Sequence, residues 1–221
     1  MKHTRGIFIT FEGLDGCGKT TQLDRLAKAL RGEGRDVVVT REPGGTPIGE
    51  QVRAVLLDSR TKGLAPLTEL ALMFASRAQQ VQQVILPALA AGKIVLCDRF
   101  TDSSEAYQGA GRQLGSKAVL QLHEVLCQGL DPDLTILLLS DIAHVNRARK
   151  REGRKRSGKH GDEGRFEQEN TRFFERVLKG YLAIAKREPR RVIKLDASGS
   201  IPAIHKQILA TVHKRMVANT K

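Results

Sequence analysis

The sequence predicts an α/β fold in which a five-stranded parallel sheet carries helices on both faces. Five short apolar segments alternate along the chain with longer segments of helical spacing. Residues 94–97 are apolar throughout, as expected of a strand buried on both faces. A glycine-rich stretch separates the first strand from the first helix. Alternation of this kind is typical of a parallel sheet covered by crossover helices.

Each element follows from its local pattern. Strands are predicted at residues 6–11, 37–40, 94–97, 134–139 and 192–195. Helices are predicted where apolar residues recur every three or four positions, as Leu23, Leu26 and Leu30 do. They cover residues 19–30, 48–57, 64–91, 117–127, 141–149, 166–186 and 201–216. Residues 101–115 are interpreted as a polar stretch, and residues 1–221 are predicted to form a single domain because no linker divides them.

Composition and cysteine use favour an intracellular protein. The three cysteines, Cys17, Cys97 and Cys127, are odd in number and lack C-x-x-C spacing, which suits a reducing compartment. No apolar run approaches the roughly 20 residues that cross a bilayer, and residues 1–8 are too short and polar for a signal peptide. We therefore expect a soluble, cytoplasmic protein that does not use a membrane.

The positive charge is concentrated in one segment. The formal net charge is +13, and residues 147–165 contain nine basic residues against three acidic ones, a net +6. Such a segment could hold nucleic acid or fold over a nucleoside triphosphate as a lid, and composition does not choose between them. The chain has no Trp and two Tyr, so it offers few rings for stacking on single strands.

A complete phosphate-binding motif follows the first strand. Residues 13–20 match the P-loop pattern G-x-x-x-x-G-K-[ST], in which backbone N–H groups surround phosphate oxygens. Lys19 is expected at the β- and γ-phosphates and Thr20 at Mg²⁺. Asp15 would repel a polyphosphate. It is therefore expected to bind a sugar hydroxyl of a second substrate or a hydrated cation, unless it points to solvent. The predicted ATP-binding residues are Gly13, Leu14, Asp15, Gly16, Cys17, Gly18, Lys19, Thr20 and Thr21.

Several arginines are expected at the same edge of the sheet. Arg41 and Arg99 each follow a predicted strand, so both should lie at the carboxyl edge beside the P-loop. Arg53 and Arg77 could face the same cleft from neighbouring helices. Guanidinium groups bind phosphates and carbonyl edges, so their convergence favours an anionic acceptor such as a nucleoside monophosphate. Asp98 either lies near Mg²⁺ or caps the next segment.

Three groups of residues together resemble the bacterial thymidylate kinase family. They are Glu12-Gly13-Leu14-Asp15-Gly16-Cys17-Gly18-Lys19-Thr20-Thr21, Thr40-Arg41-Glu42-Pro43-Gly44-Gly45-Thr46, and Asp98-Arg99-Phe100 with Ser103-Ser104-Glu105-Ala106-Tyr107-Gln108-Gly109. The match spans nearly the whole chain in order. The resemblance implies a nucleoside-monophosphate kinase architecture with a basic lid. It also implies transfer of the γ-phosphoryl group of ATP to dTMP, with Mg²⁺, in a homodimer.

The resemblance also implies roles for individual residues. Asp15 would bind the deoxyribose 3′-hydroxyl, Arg99 and Arg53 the dTMP phosphate, and Arg77 the thymine edge. Ser104 and Gln108 would help to read the base, Tyr107 would lie under the sugar, and Pro43 would shape the pocket, with Arg41 and Phe74 also expected to contact dTMP. The P-loop contains no arginine at its variable positions, which in this family accompanies a lid that supplies arginines. Catalytic roles are expected for Asp15, Lys19, Arg99, Arg149 and Arg154, and metal contacts for Thr20 and Asp98. Which lid arginines point inward stays open among Arg147, Arg149, Arg151, Arg154 and Arg156.

The chain departs from the family pattern in two places. The stacking phenylalanine of many relatives lies four residues before the position of Arg77, which is Met73 here, with Phe74 one step later. Either side chain could face the base. The lid of the family usually ends in Asp-Arg-x-Glu, whereas residues 164–167 read Gly-Arg-Phe-Glu, which leaves the anchoring of the lid open, with Asp162 as a substitute.

Two other functions remain compatible with a P-loop and a basic segment. One is an ATPase whose basic arm binds nucleic acid, which would show a steep salt dependence. The other is a small kinase with a different acceptor. The leading expectation is a dTMP kinase that binds no nucleic acid.

Overall fold

The computed structural model describes residues 5–141 and 164–219, which form a five-stranded parallel sheet with helices on both sides. The strands are β1 (Phe8–Glu12), β2 (Val37–Arg41), β3 (Ile94–Asp98), β4 (Leu134–Leu139) and β5 (Val192–Asp196). The α-helices are α1 (Lys19–Gly32), α2 (Pro47–Leu57), α3 (Pro66–Gln80), α4 (Leu86–Ala90), α5 (Thr101–Ser104), α6 (Ser116–Cys127), α7 (Thr171–Arg187) and α8 (Ile201–Asn219). The predicted fold class is confirmed.

The strand order β2-β3-β1-β4-β5 fixes where a ligand can bind. All neighbouring strands are parallel, so their carboxyl ends share one edge. From β1 the chain proceeds to β2 and β3 on one side and to β4 and β5 on the other. Open parallel sheets bind ligands at such a reversal, beyond the carboxyl ends of the strands. Because Asp98 is in register with both Phe11 and Arg41, the ends of β1, β2 and β3 lie side by side there.

Alternate residues of the same strands fill hydrophobic cores on opposite faces. Ile9 of β1 and Leu96 of β3 pack with α1 and α8. Phe8 and Val95, their neighbours in sequence, pack with α3 and α6 on the other face. This alternation follows from the two-residue period of a strand. It explains why residues 94–97 of β3, which are buried on both sides, are all apolar.

Two predicted elements differ from the structure. Residues 101–115, interpreted as a polar stretch, contain α5 and a π-helical segment, Glu105–Gly111. Their polar side chains are buried because they bind other polar groups, as when Arg191 donates to Asp102 at 2.7 Å. The helix predicted at 166–186 is a 3₁₀ turn, Arg165–Gln168, followed by α7, whose first turn is capped by Asn170. The predicted helix 141–149 and nearly all of the lid segment 147–165 lie outside the described residues.

The long helix predicted at 64–91 is continuous but not regular. α3 passes through a π-helical segment, Val81–Ile85, into α4, which ends before Gly92. Gln80, at the start of this irregular stretch, donates to Thr40 Oγ1 at 2.8 Å and to the Arg41 carbonyl at 2.7 Å. These bonds attach the helix to the end of β2, and so to the edge that carries the cleft.

Candidate active site

The loop between β1 and α1 has the backbone shape that a phosphate cradle requires. Gly13 and Gly18 have φ angles of 133° and 91°, in the region that favours glycine. A Cβ on Gly13 would also lie 2.3 Å from the Leu138 carbonyl oxygen, so that position has no room for a side chain. Lys19 Nζ donates to the carbonyls of Gly13 at 3.1 Å and Leu14 at 3.0 Å. The ammonium group therefore rests against the loop that would surround the phosphates.

One cleft of about 830 Å³ brings most of the predicted site residues together. Its lining includes Asp15, Gly16, Gly18, Lys19, Thr20, Thr21, Arg41, Pro43, Arg53, Arg77, Asp98, Arg99, Ser104, Tyr107 and Gln108. Leu14 and Cys17 are buried in the cores beneath the loop. Burial raises the pKa of the Cys17 thiol, which keeps it in the neutral form.

Asp15 and Arg99 form the centre of the cleft. Arg99 Nη2 donates to Asp15 Oδ1 at 2.6 Å, and its Nη1 donates to Ser103 Oγ at 2.9 Å and Tyr181 Oη at 3.0 Å. Tyr107 Oη lies 3.3 Å from Asp15 Oδ2. Burial raises the pKa of Tyr107, so its hydroxyl remains a neutral donor. The aspartate of the P-loop thus faces into the cleft, as one of the predicted alternatives required.

Arg77 is a buried guanidinium with one donor group left over. Its side chain is 2% exposed, its Nε donates to Glu42 Oε2 at 2.5 Å, and its Nη2 donates to Ser104 Oγ at 2.9 Å. Nη1 is buried and has no partner within the described residues. A buried donor without a partner costs free energy unless a ligand accepts from it. This arginine is therefore prepared to bind an acceptor atom at the cleft.

Phe74 does not reach the cleft, in contrast to the prediction. It is fully buried in the core below Arg77, whose guanidinium carbon lies 4.5 Å from its ring centre. Met73, the other candidate, lines the cleft. Successive helix positions point about 100° apart, so only one of the two can face the base while the other faces the core. The structure assigns the cleft position to Met73.

Arg41 and Arg53 occupy the rim next to Pro43. The side chain of Arg41 is 54% exposed and pairs with Glu50 at 3.0 Å, whereas Arg53 Nη1 donates to the Pro43 carbonyl at 2.8 Å. Arg53 is therefore held against the cleft wall. Arg41, by contrast, is held at the protein surface by its ion pair with Glu50.

Thr20 and Asp98 provide oxygen atoms that fit Mg²⁺. Thr20 Oγ1 donates to Asp98 Oδ2 at 2.7 Å, while Asp98 Oδ1 is buried without a hydrogen-bond partner among the described residues. Mg²⁺ takes few protein ligands, commonly one or two carboxylate or hydroxyl oxygens together with substrate phosphates and water. A buried carboxylate oxygen beside the P-loop hydroxyl meets that requirement.

Glu12, at the end of β1, was not predicted as a functional residue although it stands in the first motif. It accepts from Phe100 N at 2.7 Å, Ser103 Oγ at 2.5 Å and Tyr181 Oη at 2.9 Å. Burial, and then the charge of Asp102, raises its pKa to about 7. Two of these partners also bind Arg99, so Glu12 helps to hold the segment that presents this arginine. The sequence signal that could have indicated this role is a charged residue at the end of an otherwise uncharged strand.

Glu69, a buried carboxylate of α3, contacts the last residue of the predicted lid segment. Arg165 Nη1 lies 2.8 Å from Glu69 Oε2, and Arg165 also donates to the Leu56 carbonyl. The Phe166 ring packs edge-on against Tyr107, with 5.6 Å between ring centres. The end of the segment is therefore anchored by the arginine of the Gly-Arg-Phe-Glu sequence, without the aspartate of the family. Asp162, Arg149 and Arg154 lie outside the described residues.

The fold and the site define a class of protein. A parallel sheet with the order β2-β3-β1-β4-β5, a P-loop and a group of arginines in the same cleft describe a P-loop phosphotransferase of the nucleoside-monophosphate kinase class. A family model described as thymidylate kinase matches residues 11–208. The chain belongs to the thymidylate kinase family.

Individual relatives agree with that assignment. The chain is 46% identical to a thymidylate kinase of Pelobacter propionicus over 97% of both chains. It is 50% identical to one of Geobacter sulfurreducens over 90% of this chain and 92% of the relative. The solved structure of a thymidylate kinase from Ehrlichia chaffeensis matches with a TM-score of 0.76 at 33% identity, covering 95% of this chain and 99% of that one. The predicted family and fold are confirmed.

Within residues 5–141 and 164–219, no helix combines the length and the apolar character that crossing a membrane requires.

Proposed function

We infer that this chain is an ATP-dependent dTMP kinase, which transfers the γ-phosphoryl group of ATP to dTMP and releases dTDP and ADP. The observation that carries this conclusion is a cleft that is lined by P-loop residues together with Asp15, Arg99 and Arg77. Phosphoryl transfer needs two phosphate sites in line and cationic groups around the transferred oxygens, with little covalent chemistry from the protein. A P-loop and an arginine-rich acceptor pocket side by side supply both.

On the donor side, the backbone N–H groups of residues 13–21 would surround the ATP phosphates. Lys19 would exchange its two carbonyl partners for the β- and γ-phosphate oxygens, which bind a cation more strongly than neutral carbonyls do. Thr20 and Asp98 would hold Mg²⁺, directly or through its water molecules. The metal, when bound, neutralises charge on the phosphates.

On the acceptor side, we assign each described residue a contact with dTMP. Arg99 and Arg53 would bind the phosphate. Asp15 would accept from the 3′-hydroxyl, with Tyr107 beneath the sugar. Arg77 would donate through Nη1 to a carbonyl of thymine. Ser104, Gln108, Pro43 and Met73 would border the base, and Arg41 would leave Glu50 to support the phosphate from the rim.

We propose further roles for the basic segment and for the assembly and location of the enzyme. Residues 147–165 would close over ATP as the lid of a single domain, with Arg149 and Arg154 supplying positive charge where the P-loop lacks an arginine. The enzyme would act as a homodimer in the cytoplasm, where ATP is abundant. It would have no nucleic-acid partner.

An acceptor survey tests the function directly. ADP release would be measured with ATP, Mg²⁺ and each of dTMP, UMP, CMP, AMP and GMP, and we expect dTMP to be phosphorylated far faster than the others. Lys19→Ala should abolish transfer, because it removes the cation that spans the transferred phosphate. Equal rates on all acceptors, or hydrolysis stimulated only by DNA, would exclude a dTMP kinase.

A further inference from the structure

Glu69 is a buried carboxylate whose contacts are not explained by phosphate binding. It lies on α3, is 1% exposed, and faces three side chains from other parts of the chain. Arg112 Nη2 and Arg165 Nη1 lie 3.1 and 2.8 Å from its Oε2. Gln108 Nε2 donates to its Oε1 at 2.8 Å. The last contact connects Glu69 to the cleft, because Gln108 is part of the lining.

The contact with Glu69 fixes which end of the Gln108 amide faces the carboxylate. A carboxylate paired with two guanidinium groups only accepts hydrogen bonds, so it must face the amide nitrogen. The amide oxygen, at the other end of the planar group, then lies on the side away from Glu69. The orientation of the amide therefore follows from the chemistry of its partner.

Gln108 is close in sequence to Ser104, the hydrogen-bond partner of Arg77 in the cleft. It follows Ser104 by four residues, and Ser104 Oγ accepts from Arg77 Nη2 at 2.9 Å. Arg77, Ser104 and Gln108 all line the cleft. Arg77 and the Gln108 amide thus border one part of the cleft, the first with a free donor and the second with an oxygen acceptor.

We propose that Glu69 is a positioning residue that selects the acceptor base by fixing the Gln108 amide with its oxygen toward the cleft. This inference rests on the proposed function. An acceptor next to a donor matches thymine or uracil, which carry a ring N–H beside a carbonyl oxygen. It opposes cytosine, whose ring nitrogen accepts and whose exocyclic amino group donates. Discrimination between these bases then depends on a carboxylate that does not touch the substrate.

The test replaces Glu69 by an isosteric amide. The side-chain amide introduced by Glu69→Gln offers both a donor and an acceptor. The Gln108 amide can then rotate by half a turn and present its nitrogen, instead of its oxygen, to the cleft. We expect the ratio of the dCMP inhibition constant to the KM for dTMP to fall roughly tenfold, the scale of one hydrogen bond. The loss should appear in the KM for dTMP, with the KM for ATP and kcat little changed.

Two further variants separate this role from mere support of the fold. Arg112→Gln removes an ion-pair partner of Glu69 but leaves the Gln108 contact, so it should keep the parental ratio. The exchanged pair Glu69→Gln with Gln108→Glu restores an acceptor toward the cleft and keeps the number of charges. It should return the ratio to within about threefold of the parent, which is roughly half of the tenfold effect expected for one hydrogen bond. Melting temperatures without nucleotide would record the stability of each variant.

Failure of the proposed function and failure of the role of Glu69 give different results. A parent that does not phosphorylate dTMP would refute the proposed function. If the parent is active, three results would each overturn the role of Glu69: a parental ratio in Glu69→Gln, an equal fall in Arg112→Gln, or no recovery in the exchanged pair.

Discussion

The buried ion pair between Arg77 and Glu42 gives the sharpest prediction about stability. The two side chains are 2% and 3% exposed, and Nε lies 2.5 Å from Oε2. Glu42→Gln keeps the shape and an oxygen acceptor but leaves a guanidinium charge in the core without its opposite charge. Removing one member of such a pair costs about 3–5 kcal/mol, out of the roughly 5–15 kcal/mol that stabilises an ordinary domain.

Urea unfolding followed by circular dichroism measures this loss, since the chain has no Trp to serve as a fluorescent probe. Glu50→Gln is the matched control, because Glu50 pairs with Arg41 at 3.0 Å with both side chains about half exposed. Exposed pairs contribute about 0–1 kcal/mol, so the control should remain close to the parent. The double variant Glu42→Gln, Arg77→Met should be less unstable than Glu42→Gln alone, because no buried charge remains. A loss below about 1 kcal/mol in Glu42→Gln would show that the pair does not carry the assigned charge interaction.

Two other predictions concern packing and pH. A Cβ on Gly180 would lie 3.1 Å from the backbone of Ala106, so Gly180→Ala should lower the free energy of unfolding by about 1–3 kcal/mol. Gly32→Ala, in open space on α1, should be neutral or stabilising by urea titration, and equal effects of the two would contradict the packing argument. For Glu105, burial alone would raise the pKa, but hydrogen bonds from Arg187 lower it below the ordinary 4.5. The resulting stability is present above pH 4.5 and is lost as the pH falls through the folded pKa. Melting temperatures between pH 3 and 7 should therefore fall less steeply on the acid side in Glu105→Gln, and an unchanged slope would argue against this linkage.

Elements with a strong local pattern were predictable, and those stabilised by distant partners were not. All five strands and the helices at α1, α2 and α6 agree with the prediction to within about two residues, as expected of boundaries read from periodicity. Residues 101–115 were misjudged because their polar side chains suggest a loop. They are helical because distant residues such as Arg191 satisfy those side chains in the core. The position of Phe74 was also missed, because the sequence allowed either neighbour to face the base.

The sequence by itself determined the P-loop, the parallel α/β fold class, the family and the concentration of charge between residues 147 and 165. These features depend on short stretches of sequence. The glycines of the P-loop indicate its backbone conformation, and the spacing of apolar residues indicates helix or strand. Only the tertiary structure decided which carboxylates orient the site. Glu42 meets Arg77 across 35 residues, Glu69 meets Gln108 across 39, and Glu12 meets Phe100 across 88. Burial makes such contacts necessary, because a charged or polar group removed from water must find a partner, and chain packing decides which partner is near.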